Sequence, residues 1–219
     1  MIYVQKVETG LTGTGTWRNW VANFCVFIAV FLSIPAQASS QLEAANRLID
    51  AMVRDVENYL SADSGDISKR TENITRLLDT HFDIPGIARF SAGPYWRAAT
   101  EDERNTYTES MREALTDTIA RNFDQLAGLR FTVTDSQAKG SRMVLVRGTF
   151  SDKAGKRPPV SVGWRVVTPH SATAKVLDVE IENISMLITQ KQENIAIIRK
   201  NGGRFSALIQ AMKQRQQTQ

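Results

Sequence analysis

Cysteine and histidine are almost missing from this sequence. Among 219 residues there is one cysteine, Cys25, and there are two histidines, His81 and His170. One thiol cannot close an intrachain disulfide, and it has no partner for a C-x-x-C redox or zinc pair. The histidines are far apart and outside any H-x-x-x-H pattern, so no two-histidine metal helix is present. There is no G-x-S-x-G elbow and no Walker loop, and Gly13-Thr14-Gly15 has no strand before it. A serine hydrolase using His81 or His170 stays open, but nothing flags the serine. No catalytic residue, metal or cofactor is assigned. The net charge is only +4 and is dispersed, which argues against nucleic acid as a partner. It permits contact with anionic membrane surfaces, as most basic domains do.

Long apolar runs are also scarce, with one exception near the start. Lys6 and Arg18 precede an apolar stretch over 21–34, and Pro35-Ala36-Gln37-Ala38 ends in an A-x-A site. This is the pattern of a secretory signal peptide over 1–38, cleaved after Ala38. The rival reading is an uncleaved anchor, yet about 14 apolar residues fall short of the ~20 that span a bilayer. Cys25 lies inside the run, with Ala22 three residues before it and Phe24 directly before it, so it has no lipobox. Cleavage would leave 39–219, a cysteine-free chain with 25 basic and 22 acidic residues. That length is one domain, able to bury about 70% of its unfolded surface.

Periodicity then orders the chain. Leu42, Ala45, Ile49, Met52, Val53, Val56 and Leu60 predict a helix over 41–60, and Ile67, Ile74, Leu77 and Leu78 another over 67–80. Pro85 suits the first turn of a short helix. Thr100-Glu101-Asp102-Glu103 is a capping box. It opens a predicted helix of about 27 residues, the longest straight element expected, striped by Tyr107, Met111, Leu115, Ile119, Phe123 and Leu126 and ending at Gly128. Beyond it the period becomes two. Phe131 and Val133 mark a short strand, 143–150 a second, and Val160, Val162, Trp164 and Val166 one face of a third, with Gly155 in a hairpin turn and Pro158-Pro159 at a strand start. Over 173–182, Leu177, Val179 and Ile181 alternate with Asp178, Glu180 and Glu182. The acidic side reads as a solvated strand face, the alternative being a carboxylate set for acid–base work. A helix follows and stops at Gly202-Gly203, and a last one carries Phe205, Leu208, Ile209 and Met212 before a polar tail over 210–219 that is expected to fray. The fold class is α+β: several helices on one face of a curved, mainly antiparallel four-stranded sheet.

Two passages carry a family resemblance. Val176, Asp178, Val179, Ile181, Glu182, Ile184, Ser185 and Met186, then Arg199 and Gly202, follow V-x-D-V-x-I-E-x-[IV]-S-[LM] and R-x-x-G. Arg89, Phe90, Gly93, Tyr95, Trp96, Arg97, Ala99 and Thr100 follow R-[FY]-x-x-G-x-Y-W-R-x-A-T. In that order, behind a leader, they resemble the periplasmic phospholipid-binding proteins of the Mla (maintenance of lipid asymmetry) pathway, also labelled toluene-tolerance or ABC-transporter auxiliary proteins. The resemblance implies a lipid-binding fold related to the NTF2-like class. It implies a non-enzymatic periplasmic carrier that serves outer-membrane lipid asymmetry. The implied partners are phospholipid, an inner-membrane ABC-transporter lipid complex and an outer-membrane lipoprotein complex. Departures stand at Lys175, Gln190 and Asn194, where members often carry aromatics. They leave the cargo open between phospholipid and a hopanoid or another apolar molecule.

Carrying a two-tailed lipid means replacing the burial of about 30 methylenes at ~0.8 kcal/mol each. That requires a dry apolar pocket. The candidate wall is Val160, Val162, Trp164 and Val166, joined by Val144, Val146 and Val179, with Tyr95 and Trp96 as aromatic lining. Plain core packing accounts equally well for Trp96 and Trp164. Arg89, Arg97, Lys191, Arg199, Lys200 and Arg204 are possible phosphate or partner contacts, with Arg97 foremost because it adjoins Tyr95-Trp96. The rivals to a carrier are an NTF2-like enzyme with a polar cavity, using Asp178 or a buried histidine, and an interaction module with a filled core.

Overall fold

The computed structural model describes residues 36–168 and 173–218, with side chains over 39–168 and 173–216. Residues 1–35 of the leader expected over 1–38, Cys25 among them, and His170 lie outside the described residues. The elements are helices α1 (Ala36–Ser61), α2 (Ile67–His81), α3 (Ile84–Ser91) and α4 (Glu101–Arg121), strands β1 (Leu129–Ala138), β2 (Met143–Asp152), β3 (Val160–Val167), β4 (Lys175–Ile181) and β5 (Ile184–Ser185), then α5 (Met186–Lys200) and α6 (Phe205–Thr218). Two 3-10 turns, Gly93–Arg97 and Phe123–Leu126, flank α4.

Local chemistry sets most boundaries. Asp66 caps α2 by accepting from Ser68 N and Lys69 N. Asp83 caps α3, with Pro85 in its first turn. Thr100 and Glu103 form the capping box of α4 in both directions. That helix stops at Arg121, and Phe123 and Leu126 of the predicted stripe continue in a 3-10 turn. Among the described residues the longest helix is therefore α1, at 26 residues against 21. The last helix runs through the polar segment as far as Thr218.

The sheet is antiparallel throughout, in the order β1-β2-β3-β4-β5. Among the described residues it has five strands, not four, because the chain reverses through Glu182 and Asn183, both at positive φ, and pairs Ile184 and Ser185 back onto β4. β1 is ten residues long, with a bulge between Val133 and Asp135. Its exposed edge carries Thr132, Thr134 and Gln137, which hides the strand from an apolar pattern.

Register aligns Val144, Val146 and Phe150 of β2 with Val166, Trp164 and Val160 of β3, and Trp164 with Val179 of β4. This apolar face meets α1 and α2 in a first core. Val144, Val146, Val166 and Val176 are fully buried there against Leu48, Ile49, Met52, Ile74 and Leu78. A second core joins α3, α4, α5 and α6 around Tyr107, Met111, Ile198, Phe205 and Leu208. No described helix is long and apolar enough to cross a membrane.

Candidate functional site

The apolar sheet face has a closed end and an open end. Gln41 of α1 donates to the Ser141 carbonyl, and Ser136 Oγ donates to Asn46 Oδ1 at 2.8 Å, fixing the start of α1 over the β1–β2 hairpin. Near that end the valines are fully buried. Burial then falls along both partners. Val53, Val56, Tyr59 and Leu60 of α1 are only partly covered, as are Phe131, Phe150, Val160, Trp164 and Val179 of the sheet. Ile181 is 41% exposed.

An aromatic cluster occupies the open end. Phe131 lies 4.9 Å from Phe150 and meets Trp164 edge-on at 6.0 Å. Gly148 makes this possible. A Cβ there would sit 2.4 Å from Phe131 Cζ and 2.5 Å from the Thr132 carbonyl oxygen. The Trp164 indole N–H is buried and makes no hydrogen bond among the described residues. A buried unpaired donor costs free energy, so this indole position is maintained by packing and not by a polar partner.

The predicted wall therefore divides. Val144, Val146 and Val166 belong to the filled core, and Val162 is buried too. Val160, Trp164 and Val179 reach the open end. Tyr95 and Trp96 do not join them, because the 3-10 turn that holds them packs against the second core. Arg104 of α4 fixes that turn, donating from Nε to the Trp96 carbonyl at 2.9 Å and from Nη2 to the Arg97 carbonyl at 3.1 Å. Its guanidinium also lies over the Trp96 ring, 5.8 Å from the centroid.

Trp96 and Arg97 instead face a separate groove of about 590 Å³. Gly86, Arg89 and Phe90 come from α3, Asp83 is its cap, Lys191 comes from α5, and Leu177 from β4. Pairing of Arg165 with Asp178 and of Val166 with Val176 leaves Leu177 as the extra residue of a bulge. Of the six cations singled out from sequence, the groove gathers three: Arg89, Arg97 and Lys191. A smaller cavity of about 310 Å³ is polar, lined by residues such as Thr71, Arg112 and Asp117, and holds none of the predicted site residues.

The acidic strand face is solvated only at Glu182, which is exposed. Asp178 and Glu180 are buried, at 5% and 7% exposure. Ser185 Oγ donates to Asp178 Oδ2 at 2.5 Å, Leu187 N donates to Oδ1 at 2.9 Å, and Arg165 Nε lies 3.5 Å away. Arg165 Nε also donates to Glu180 at 2.8 Å. Asp178 thus holds the start of α5 onto β4, while Ser185 caps that helix through Ile188 N. Both carboxylate oxygens of Asp178 are thus engaged by donors that hold β4, β5 and α5 together.

Two polar connections could not be read from sequence spacing. His81 is buried with Nε2 2.7 Å from Asp55 Oδ2, tying α2 to α1, and neither residue lines either cavity. Tyr107, Ser91 and Asn194 join three helices: Ser91 and Tyr107 hydroxyls lie 2.8 Å apart, and Asn194 Nδ2 donates to the Tyr107 hydroxyl at 2.7 Å. Burial pushes the Tyr107 phenol up to about 12, against the opposing pull of its hydrogen bonds from Ser91 and Asn194. Among the described residues, no cluster of three or more His, Cys, Asp or Glu side chains could hold a metal ion.

Comparison with known proteins places this geometry. The family model described as "MlaC protein" matches residues 46–214. The chain is also similar to a phospholipid-binding protein from Ralstonia solanacearum whose structure was solved in complex with a phospholipid. Identity is 21%, the match covers 77% of this chain and 94% of that one, and the TM-score is 0.67. At that identity the likeness concerns the fold.

Proposed function

The chain belongs to the MlaC protein family, and on that premise we propose that it is a phospholipid carrier working without covalent chemistry. It holds acyl chains between α1 and the open end of the sheet face, against Trp164, Phe131, Phe150, Val160 and Val179. The observation that carries this reading is the graded burial of a continuous apolar face, closed at Val144 and Val166 and open at the aromatic cluster. The fold shared with a protein solved with a phospholipid supports it.

Acyl chains need only a dry apolar wall, and about 0.8 kcal/mol per methylene is recovered as that wall replaces water. Transfer requires exchange between sites of similar affinity, not a reaction. The finer reading is a periplasmic shuttle, exported through a signal peptide over 1–38. It would pass lipid between an inner-membrane ABC-transporter lipid complex and an outer-membrane lipoprotein complex, the role that contributes to toluene tolerance. The commitment of Asp178 and Glu180 to Arg165 and α5 speaks against the enzyme alternative.

The test is movement of fluorescent phospholipid between two vesicle populations. Protein-dependent transfer supports the carrier. Binding of lipid from one population without delivery to the other would support a lipid-binding protein that is not a shuttle.

A further inference from the structure

The groove beside the second core has a chemistry of its own. Arg89 stands on α3, Arg97 on the 3-10 turn and Lys191 on α5, so three separate elements bring one cation each to the same cavity. None of the three forms an ion pair with a carboxylate of the described residues, whereas Arg70, Arg112, Arg157 and Arg165 all do. The one carboxylate in the lining, Asp83, accepts from Gly86 N at 3.0 Å as the cap of α3. Like charges gathered this way repel one another, and an anion placed between them relieves that repulsion. The Lys191 ammonium is held 4.6 Å from the Phe90 ring centroid, and Phe90, Trp96 and Leu177 give the groove apolar walls.

We infer that this groove binds a phosphate group, with Arg89, Arg97 and Lys191 as its counter-charges. Guanidinium groups match phosphate oxygens two at a time, and the lysine supplies a point charge. The apolar walls fit a phosphate carried on a lipid head group, and free phosphate shares the same chemistry. The assignment deepens the carrier reading and rests on it only for the lipid source.

The experiment is isothermal titration of the purified full chain with two probes, inorganic phosphate and dihexanoyl phosphatidylglycerol below its micelle concentration. The groove variant is Arg89→Gln with Lys191→Gln. The comparator is Arg199→Gln with Lys200→Gln, which removes the same charge from the end of α5. The groove variant should weaken the phospholipid probe by about tenfold or more relative to the comparator. A parallel loss for inorganic phosphate identifies bare phosphate as sufficient, and a loss for the lipid probe alone identifies the head group. Equal affinities in the two variants overturn the groove assignment. Organic extraction of the same preparations separates the two readings. Acyl lipid in the wild type with equal probe affinities removes the groove and leaves the carrier. Groove-dependent phosphate affinity with no acyl lipid in the extract and no uptake of lipid from phosphatidylethanolamine–phosphatidylglycerol vesicles removes the carrier and leaves the groove.

Discussion

The Trp164 ring stands edge-on to Phe131, at an interplanar angle of 83°. The two side chains come from β3 and β1, on either side of β2, and meet above the bare backbone of Gly148. This contact marks where the sheet face stops being core and becomes a candidate lipid wall.

Introducing charge at that wall should release cargo. Trp164→Asp is expected to lose most of its co-purified acyl lipid, since an unpaired carboxylate beside acyl chains costs several kcal/mol. Trp164→Phe should retain it, and so should Thr132→Asp on the exposed edge of β1. Glu180→Ala is a poor comparator, because it strips a buried partner from Arg165. Lipid extracted per mole of folded protein is the readout, and a folded Trp164→Asp with undiminished lipid would remove the wall assignment.

Gly148 should tolerate no side chain. Gly148→Val would drive a Cβ into the Thr132 carbonyl and the Phe131 ring. The backbone carbonyl cannot rotate away as a side chain could, so a cost of about 2–3 kcal/mol is expected from overpacking. Urea unfolding measures it, and a loss under 0.5 kcal/mol, on the order of an ordinary surface substitution, would mean that β1 can shift.

Gly93 explains the glycine of the R-[FY]-x-x-G motif. Its φ is +59°, and a Cβ would lie 3.0 Å from Ile195 Cδ1 and 3.3 Å from Lys191 Cε. Gly93→Ala should cost about 1–2 kcal/mol from the left-handed backbone alone. It should also displace Lys191 from the groove. Chemical denaturation with a phosphate titration on the same variant checks both effects.

The buried tyrosine sets an alkaline limit. The Tyr107 phenol is raised to about 12 in the folded chain, against an ordinary value of 10. Between those values the unfolded chain has lost the proton and the folded chain keeps it, so stability falls as pH rises. The contribution is complete below pH 10, about 2 kcal/mol of it is gone by pH 12, and the remainder is lost above that. Tyr107→Phe should flatten this part of the stability profile. It should also cost about 1–3 kcal/mol at neutral pH, because Asn194 and Ser91 lose their shared partner. Denaturation midpoints from pH 8 to 12 give the comparison.

Asp178 should behave as a brace. Asp178→Ala leaves Arg165, Ser185 and Leu187 N without their acceptor, and a loss of about 3 kcal/mol is expected for removing a charged, buried hydrogen-bond hub. Hydrogen exchange should show the first turn of α5 opening more often. Unchanged exchange there would contradict the brace.

What the sequence disclosed, and what it withheld, follows from how local each signal is. Thr100 and Glu103 are three residues apart, so their capping box is legible directly. The end of α4 is not, because Phe123 keeps helical spacing while its backbone has already tightened into a 3-10 turn. The burial of Asp178 and Glu180 depends on Arg165 from β3 and on the folding back of α5, and an alternating strand looks the same whether its polar side meets water or a guanidinium. The groove of Arg89, Arg97 and Lys191 spans about a hundred residues of chain, and only the packing of α3 against α5 brings its walls together. Tyr95 and Trp96 belong by sequence to the same aromatic inventory as Trp164, yet the fold assigns them to another core.

Native mass spectrometry of the protein purified without detergent, followed by organic extraction, tests the carrier most directly. Adducts spaced by two-carbon units, with diacyl phospholipid in the extract, are the predicted result. One discrete polycyclic mass would replace phospholipid by a hopanoid-type cargo. A bare protein mass, together with failure to take up lipid from phosphatidylethanolamine–phosphatidylglycerol vesicles, would contradict the account.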